Sequence, residues 1–114
     1  MRIAYDAKRL FNNFTGLGNY SRTLLDGQLK NYPEDLHLLY TPKVRVNGQT
    51  QPYIRRNRCR VVRPGALLPG GFWRTFGLAG RAAKDRVDLF HGLSHELPVG
   101  LVRRRIPSVV TMHD

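Results

Sequence analysis

Five short runs rich in apolar residues punctuate the chain: Arg2–Asp6, Leu36–Thr41, Cys59–Val62, Asp88–His91 and Ile106–Met112. Each reads as a strand, with Pro107 tolerable near the start of the last one. Between the first two lies a helical stretch: Tyr20 and Leu24 are four residues apart, as are Leu25 and Leu29, and this spacing builds one apolar face. Gly27 weakens that helix by about 1 kcal/mol relative to Ala, and Asn31-Tyr32-Pro33 ends it. A second helix is predicted over Phe72–Ala83, although Gly77 and Gly80 weaken it. Ala7–Thr15 and Pro42–Asn57 show no period and read as irregular. The resulting order, βαββαββ, predicts an α/β fold that is Rossmann-like, with a mostly parallel sheet and helices on both faces.

At 114 residues and 41% hydrophobic, the chain can bury one core and is too short for a two-domain enzyme. No apolar run approaches the ~20 residues of a membrane-spanning helix. Cys59 is the only cysteine, so an intrachain disulfide and a cysteine-based zinc site are excluded. A lone thiol fits a reducing compartment. The opening Met1-Arg2-Ile3-Ala4-Tyr5-Asp6-Ala7-Lys8-Arg9 meets charge before any signal-like apolar stretch, and a cytoplasmic location is expected. Lys and Arg number 19 against 8 Asp and Glu, for a formal net charge of +11. That excess favours anionic partners without choosing among them.

In open α/β sheets, ligands bind beyond the carboxyl ends of the strands. Three places qualify. The first strand leads, after a loop, to Thr15-Gly16-Leu17-Gly18-Asn19. The fourth ends at His91-Gly92, followed by Ser94, His95 and Glu96. The last ends at Thr111-Met112-His113-Asp114. Two glycines at a helix start let backbone N–H groups approach an anion, and the helix dipole favours one there. A tight turn into the helix explains the same glycines. A dinucleotide fingerprint is not formed, because Ser21 stands where the third glycine belongs and Thr41 where the acidic residue belongs. His113 can donate to a substrate hydroxyl or transfer a proton, or it can be a structural histidine. His91, His95 and His113 match no metal-site spacing.

Arginine clusters at Arg55, Arg56, Arg58, Arg60 and Arg63, and again at Arg103, Arg104 and Arg105. Only Tyr53 offers a stacking partner near the first cluster, and no nucleic-acid-binding motif appears. Leu67, Leu68, Phe72 and Trp73 follow that cluster closely, which keeps an anionic membrane surface open as a partner. A solvated basic face accounts for the same residues.

Four blocks then resemble one family. They are the opening Met1–Asp6 strand, Thr15-Gly16-Leu17-Gly18-Asn19-Tyr20-Ser21-Arg22-Thr23-Leu24-Leu25, Asp88-Leu89-Phe90-His91-Gly92-Leu93-Ser94-His95-Glu96-Leu97-Pro98, and Ile106-Pro107-Ser108-Val109-Val110-Thr111-Met112-His113-Asp114. Their sequence and order are similar to the N-terminal, acceptor-side domain of family 4 glycosyltransferases of the two-domain GT-B architecture. The middle, Thr41–Ala83, matches only loosely.

The resemblance implies retaining transfer of a sugar from a nucleotide-diphosphate sugar to a lipid-linked or polysaccharide acceptor. The setting would be cell-envelope glycan synthesis, such as that of lipopolysaccharide, at the cytoplasmic membrane face, with no metal and no other cofactor. It implies that Thr15, Gly16, Leu17, Gly18 and Asn19 form the donor-phosphate loop and that His113 is the active-site histidine. His91, Ser94, His95, Glu96 and Asp114 would lie on the acceptor side. Arg55, Arg56, Arg58, Arg103, Arg104 and Arg105 would contact an anionic membrane surface, and nucleic acid is not an expected partner. The family's donor-binding C-terminal domain is absent from these 114 residues, so a truncated piece, inactive in transfer by itself, is expected. The alternatives are a non-enzymatic basic module for anionic lipid or nucleic acid, and a Rossmann-like nucleotide binder.

Overall fold

Parallel strands must be joined by crossovers, and the direction of those crossovers decides where a sheet leaves room for a ligand. The computed structural model describes residues 1–63, 77–93 and 97–112. Its strands are β1 (Arg2–Asp6), β2 (Leu36–Tyr40), β3 (Cys59–Val62), β4 (Leu89–Gly92) and β5 (Ser108–Val110). All four pairings are parallel, and the spatial order is β3-β2-β1-β4-β5. Among the described residues the helices are α1 (Lys8–Asn12), α2 (Gly16–Asn31), α3 (Gln51–Arg55) and α4 (Leu78–Lys84). This is the predicted α/β, Rossmann-like arrangement.

Side chains alternate across a strand, so each strand feeds two cores. Ala4, Leu38, Tyr40 and Phe90 pack with Leu78, Ala79 and Ala82 of α4 and with Leu101 and Ile106. Ile3, Tyr5 and Leu39 pack on the opposite face with Leu10 and Phe11 of α1, Leu25 and Leu29 of α2, and Tyr53 of α3. Helices therefore cover both faces, as a parallel sheet requires.

Several elements differ from the sequence reading. The Ala7–Thr15 stretch contains α1, because Leu10 and Phe11, both fully buried, can reach the core only from a helical turn laid on the sheet. The Pro42–Asn57 excursion contains α3, where Tyr53 supplies the apolar anchor. The last strand is shorter than Ile106–Met112: Ile106 belongs to the α4-side core, and the Pro107 carbonyl only accepts from the Phe90 N–H as the strand begins. The second predicted helix is described as Leu78–Lys84, and Phe72 and Phe76 lie outside the described residues.

One polar pair sits inside the core. His37 is fully buried; its Nδ1 lies 3.0 Å from the Tyr5 hydroxyl and its Nε2 3.3 Å from the Tyr32 carbonyl. A neutral ring carrying its proton on Nε2 satisfies both contacts. Burial pushes its pKa below 6.5, against the opposing pull of the Tyr32 carbonyl and Asp35. Burial lowers that of His91 as well. The unfolded chain then binds protons more readily than the folded one, so stability is complete above the unfolded histidine value and is lost as pH falls through it. Urea midpoints should stay level above about pH 7 and fall between about pH 6.5 and 5. His37→Gln should flatten that fall, and a wild-type midpoint that rises on acidification would refute the neutral buried ring.

Candidate functional site

From β1 the chain steps outward through β2 to β3, then returns to β4 on the other side of β1. The strand order reverses there, leaving a crevice beyond the carboxyl ends of β1 and β4, at Asp6 and Gly92, which lie side by side in the register. This is where open α/β sheets take their ligands. The α2 helix must run back antiparallel to reach the amino end of β2, so its amino terminus is delivered to the same edge. The predicted glycine loop and the strand ends are therefore brought together.

The α2 terminus is built by Asn13. Its Oδ1 accepts from the backbone N–H of Thr15 at 3.0 Å, from the Thr15 hydroxyl at 3.0 Å and from the Gly18 N–H at 3.0 Å. The Asn19 N–H goes to the Thr15 carbonyl at 2.9 Å. The N–H groups of Gly16 and Leu17 are left as first-turn donors with no intramolecular acceptor among the described residues. The first turn carries no acidic side chain, so its positive end is open to an external anion.

The two glycines have different reasons to be glycine. A Cβ on Gly18 would run into the Asn13 carbonyl and come within 2.9 Å of the Arg9 carbonyl, so Gly18 is demanded by the close approach of α2 to the end of α1. A Cβ on Gly16 would meet nothing within 4 Å. Gly16 is exposed and unforced by the fold, whereas Gly18 is buried and structural. The tight-turn reading accounts for Gly18 and leaves Gly16 unexplained.

Arg22 locks the loop from beneath. It is 6% exposed and donates to the Leu10 carbonyl at 2.7 Å, the Asn13 carbonyl at 2.8 Å and Asn19 Oδ1 at 2.6 Å, with its guanidinium 5.1 Å from the centre of the Phe14 ring. Asn13 and Arg22 were not singled out by the sequence reading. The signal for Arg22 was its spacing: Gly18, Arg22, Leu25 and Leu29 share the buried face of α2. Asn13 stands two residues before the helix cap, where a short amide commonly organises a turn.

Asp6 carries no sequence signal beyond its place in the first strand. It is 8% exposed at the switch point, and its Oδ1 lies 3.4 Å from the Lys8 N–H. Arg9, one turn further on, has a buried Nε with no partner among the described residues.

His91 is half-buried on the α2 side of the sheet. Its Nε2 lies 2.8 Å from the Thr111 hydroxyl, and its ring is tilted 31° against Tyr5, with centroids 5.9 Å apart. With Ile3, Tyr5 and Leu89 it lines a cavity of about 440 Å³ that extends to Met1, Glu34 and Asp35 at the amino-terminal edge of the sheet and to Gln28 and Tyr32 at the far end of α2. His91 and Thr111 thus meet at the carboxyl edge as the strand ends predict. Ser94, His95, Glu96, His113 and Asp114 lie outside the described residues, as do Leu67, Leu68, Phe72 and Trp73.

Arg55, Arg56, Arg58, Arg103, Arg104 and Arg105 are all exposed. Arg58 and Arg105 lead into β3 and β5, at the amino-terminal edge of the sheet and away from the crevice. Burial pushes the Cys59 thiol up to about 11, which makes it an inert core residue. No group of three or more His, Cys, Asp or Glu among the described residues could hold a metal ion, and no described helix is long and apolar enough to cross a membrane.

Fold and site together define an open parallel α/β sheet with a helix amino terminus, free of acidic side chains in its first turn, at its switch point. In comparisons with family models, curated proteins and solved structures, nothing matches the chain.

Proposed function

We propose that the chain is the acceptor-side portion of a retaining, GT-B-type glycosyltransferase similar to family 4. In this reading the diphosphate of a nucleotide-sugar donor is received at the start of α2. The observation that carries the reading is the contrast between the two glycines, because Gly16 is open, exposed and needed by nothing inside the fold. An incoming phosphate explains a glycine there, since it needs the backbone N–H groups of Gly16 and Leu17 without a side chain in front of them. Thr15 and Asn19 flank that position in the chain. His113, outside the described residues, takes the active-site role by resemblance.

Sugar transfer in such an enzyme needs a donor-binding domain as well, so binding is the appropriate readout for these 114 residues.

Uridine diphosphate serves as the probe, followed by calorimetric titration and by the rise in Tm that ligand binding produces. Saturable binding is expected, weakened roughly tenfold by Gly16→Ala without loss of thermal stability. Binding that ignores Gly16→Ala, or a complete failure to bind, overturns the reading. A loss that instead tracks Arg103, Arg104 and Arg105 with a steep salt dependence supports the basic-module alternative.

A further inference from the structure

The amino-terminal edge of the sheet, opposite the crevice, gathers arginines from distant parts of the sequence. The register places Arg2 at the start of β1 beside Leu36. The Arg58 carbonyl accepts from His37 N–H at the entry to β3, and the Arg2 carbonyl accepts from Asp88 N–H at the entry to β4. Arg2, Arg58 and Arg86, together with Met1, Leu36 and Asp88, line one hollow of about 410 Å³.

Three features set this hollow apart from an ordinary basic surface. First, two of its three guanidiniums, those of Arg2 and Arg58, are held by main-chain carbonyls, and none of the three makes an ion pair among the described residues. Arg2 Nη1 donates to the Asp85 carbonyl at 2.7 Å and Arg58 Nη2 to the Glu34 carbonyl at 2.8 Å. Each contact uses one of five N–H donors and fixes the side chain while leaving the charge without a carboxylate partner among the described residues. Second, two neighbouring carboxylates are engaged elsewhere, Asp35 with the Met1 amino group and Asp85 with Arg81 and Tyr40, and Asp88, inside the hollow, accepts from the Arg2 main-chain N–H at 2.7 Å. Third, Arg58 and Arg86 occupy left-handed backbone, with φ of 64° and 57°, which glycine adopts freely and a long side chain rarely does. Arg105, at the entry to β5, shares this conformation with φ of 57°. The fold tolerates an arginine at strand entries where glycine would be easier, which is backbone strain of the kind that gathers at functional positions.

We infer that this hollow is a second anion site, independent of the crevice, which takes the phosphate group of a phosphate ester or diphosphate. Three guanidiniums approaching from separate strand entries suit an anion with three or more acceptor oxygens better than a two-oxygen carboxylate. The single carboxylate that lines the hollow, Asp88, leaves the arginines in excess. The phosphate can belong to a phospholipid headgroup or to a free phosphorylated molecule.

The left-handed backbone supplies a clean test. Arg58→Gly/Arg86→Gly removes both guanidiniums while relieving the backbone, so the variant should melt no lower than the parent. Lys43→Ser/Arg63→Ser removes the same charge from exposed positions beyond the carboxyl ends of β2 and β3. Two probes distinguish the sources: inorganic pyrophosphate by calorimetry, and phosphatidylcholine vesicles with and without phosphatidylglycerol by cosedimentation.

Measured in the Gly16→Ala background, which silences the crevice, the glycine double variant should weaken binding by roughly tenfold or more, with the serine pair changing it much less. Loss confined to pyrophosphate assigns a free phosphorylated ligand, and loss confined to phosphatidylglycerol vesicles assigns a headgroup; both support the site. Equal loss in the two charge-matched variants, acetate binding as well as pyrophosphate, or no binding of either probe by the parent overturns it. Because Gly16→Ala reports on the crevice alone, failure here is distinguishable from failure of the donor-loop reading.

Discussion

Gly18→Ala should destabilise the protein by about 3 kcal/mol and lower Tm by roughly 10 °C or more. The added methyl has nowhere to go. It is aimed at the main-chain carbonyl of Asn13, with the Arg9 carbonyl 2.9 Å away, and neither is a flexible side chain that could swing aside. Accommodating it means moving the start of α2 off the end of α1, which also breaks the bond from the Gly18 N–H to Asn13 Oδ1. Gly16→Ala, two residues earlier, should leave Tm unchanged or raise it slightly. Its Cβ enters open space, its backbone is not among the left-handed positions, and alanine restricts the unfolded chain. Thermal melts of the two variants side by side check the prediction. Equal effects would mean that the loop geometry is wrong, and with it the separation of a structural glycine from a ligand-facing one.

Arg22→Met should cost about 2–4 kcal/mol in urea unfolding, although it replaces a buried charge with an apolar chain of similar reach. The cost comes from what the guanidinium leaves behind. The carbonyls of Leu10 and Asn13 lose a donor in a buried setting, and Asn19 Oδ1 loses a contact of 2.6 Å. Arg22→Lys should recover only part of the loss, because one ammonium cannot span three acceptors that a planar fork reaches together. Tyr53→Phe is the milder comparison at about 1 kcal/mol. It deletes a hydroxyl that donates to Asp26 at 2.7 Å and lies 3.2 Å from the Arg22 carbonyl. If Arg22→Met proved neutral, the arginine would not be the tie between α1, the loop and α2, and the loop would depend on Asn13 alone.

The class of fold was readable because it rests on local pattern. Runs such as Leu36–Tyr40 and the four-residue spacing of Leu25 and Leu29 announce their elements without knowledge of any partner. Shorter elements were not readable in this way. The α1 helix is five residues long and α3 is the same, too short for periodicity to register. Leu10, Phe11 and Tyr53 become helical anchors only because a sheet lies beneath them. Part of the candidate site was legible, since Gly16, Gly18 and His91 sit where strand ends and helix starts were expected. Asn13 was not, because an asparagine in a loop acquires meaning only when its side chain is seen to hold three donors.

The amino-acid sequence by itself determined a chain with an α/β fold, a large arginine excess and a glycine-marked helix start. These are properties of composition and of neighbours within a turn or two. Tertiary structure alone decided which glycine the fold requires, that β1 and β4 enclose the switch point, and that Arg2, Arg58 and Arg86 face one hollow. The reason is the sheet order: strands adjacent in space are far apart in the chain, so a cluster made across them leaves no mark in any short window of sequence.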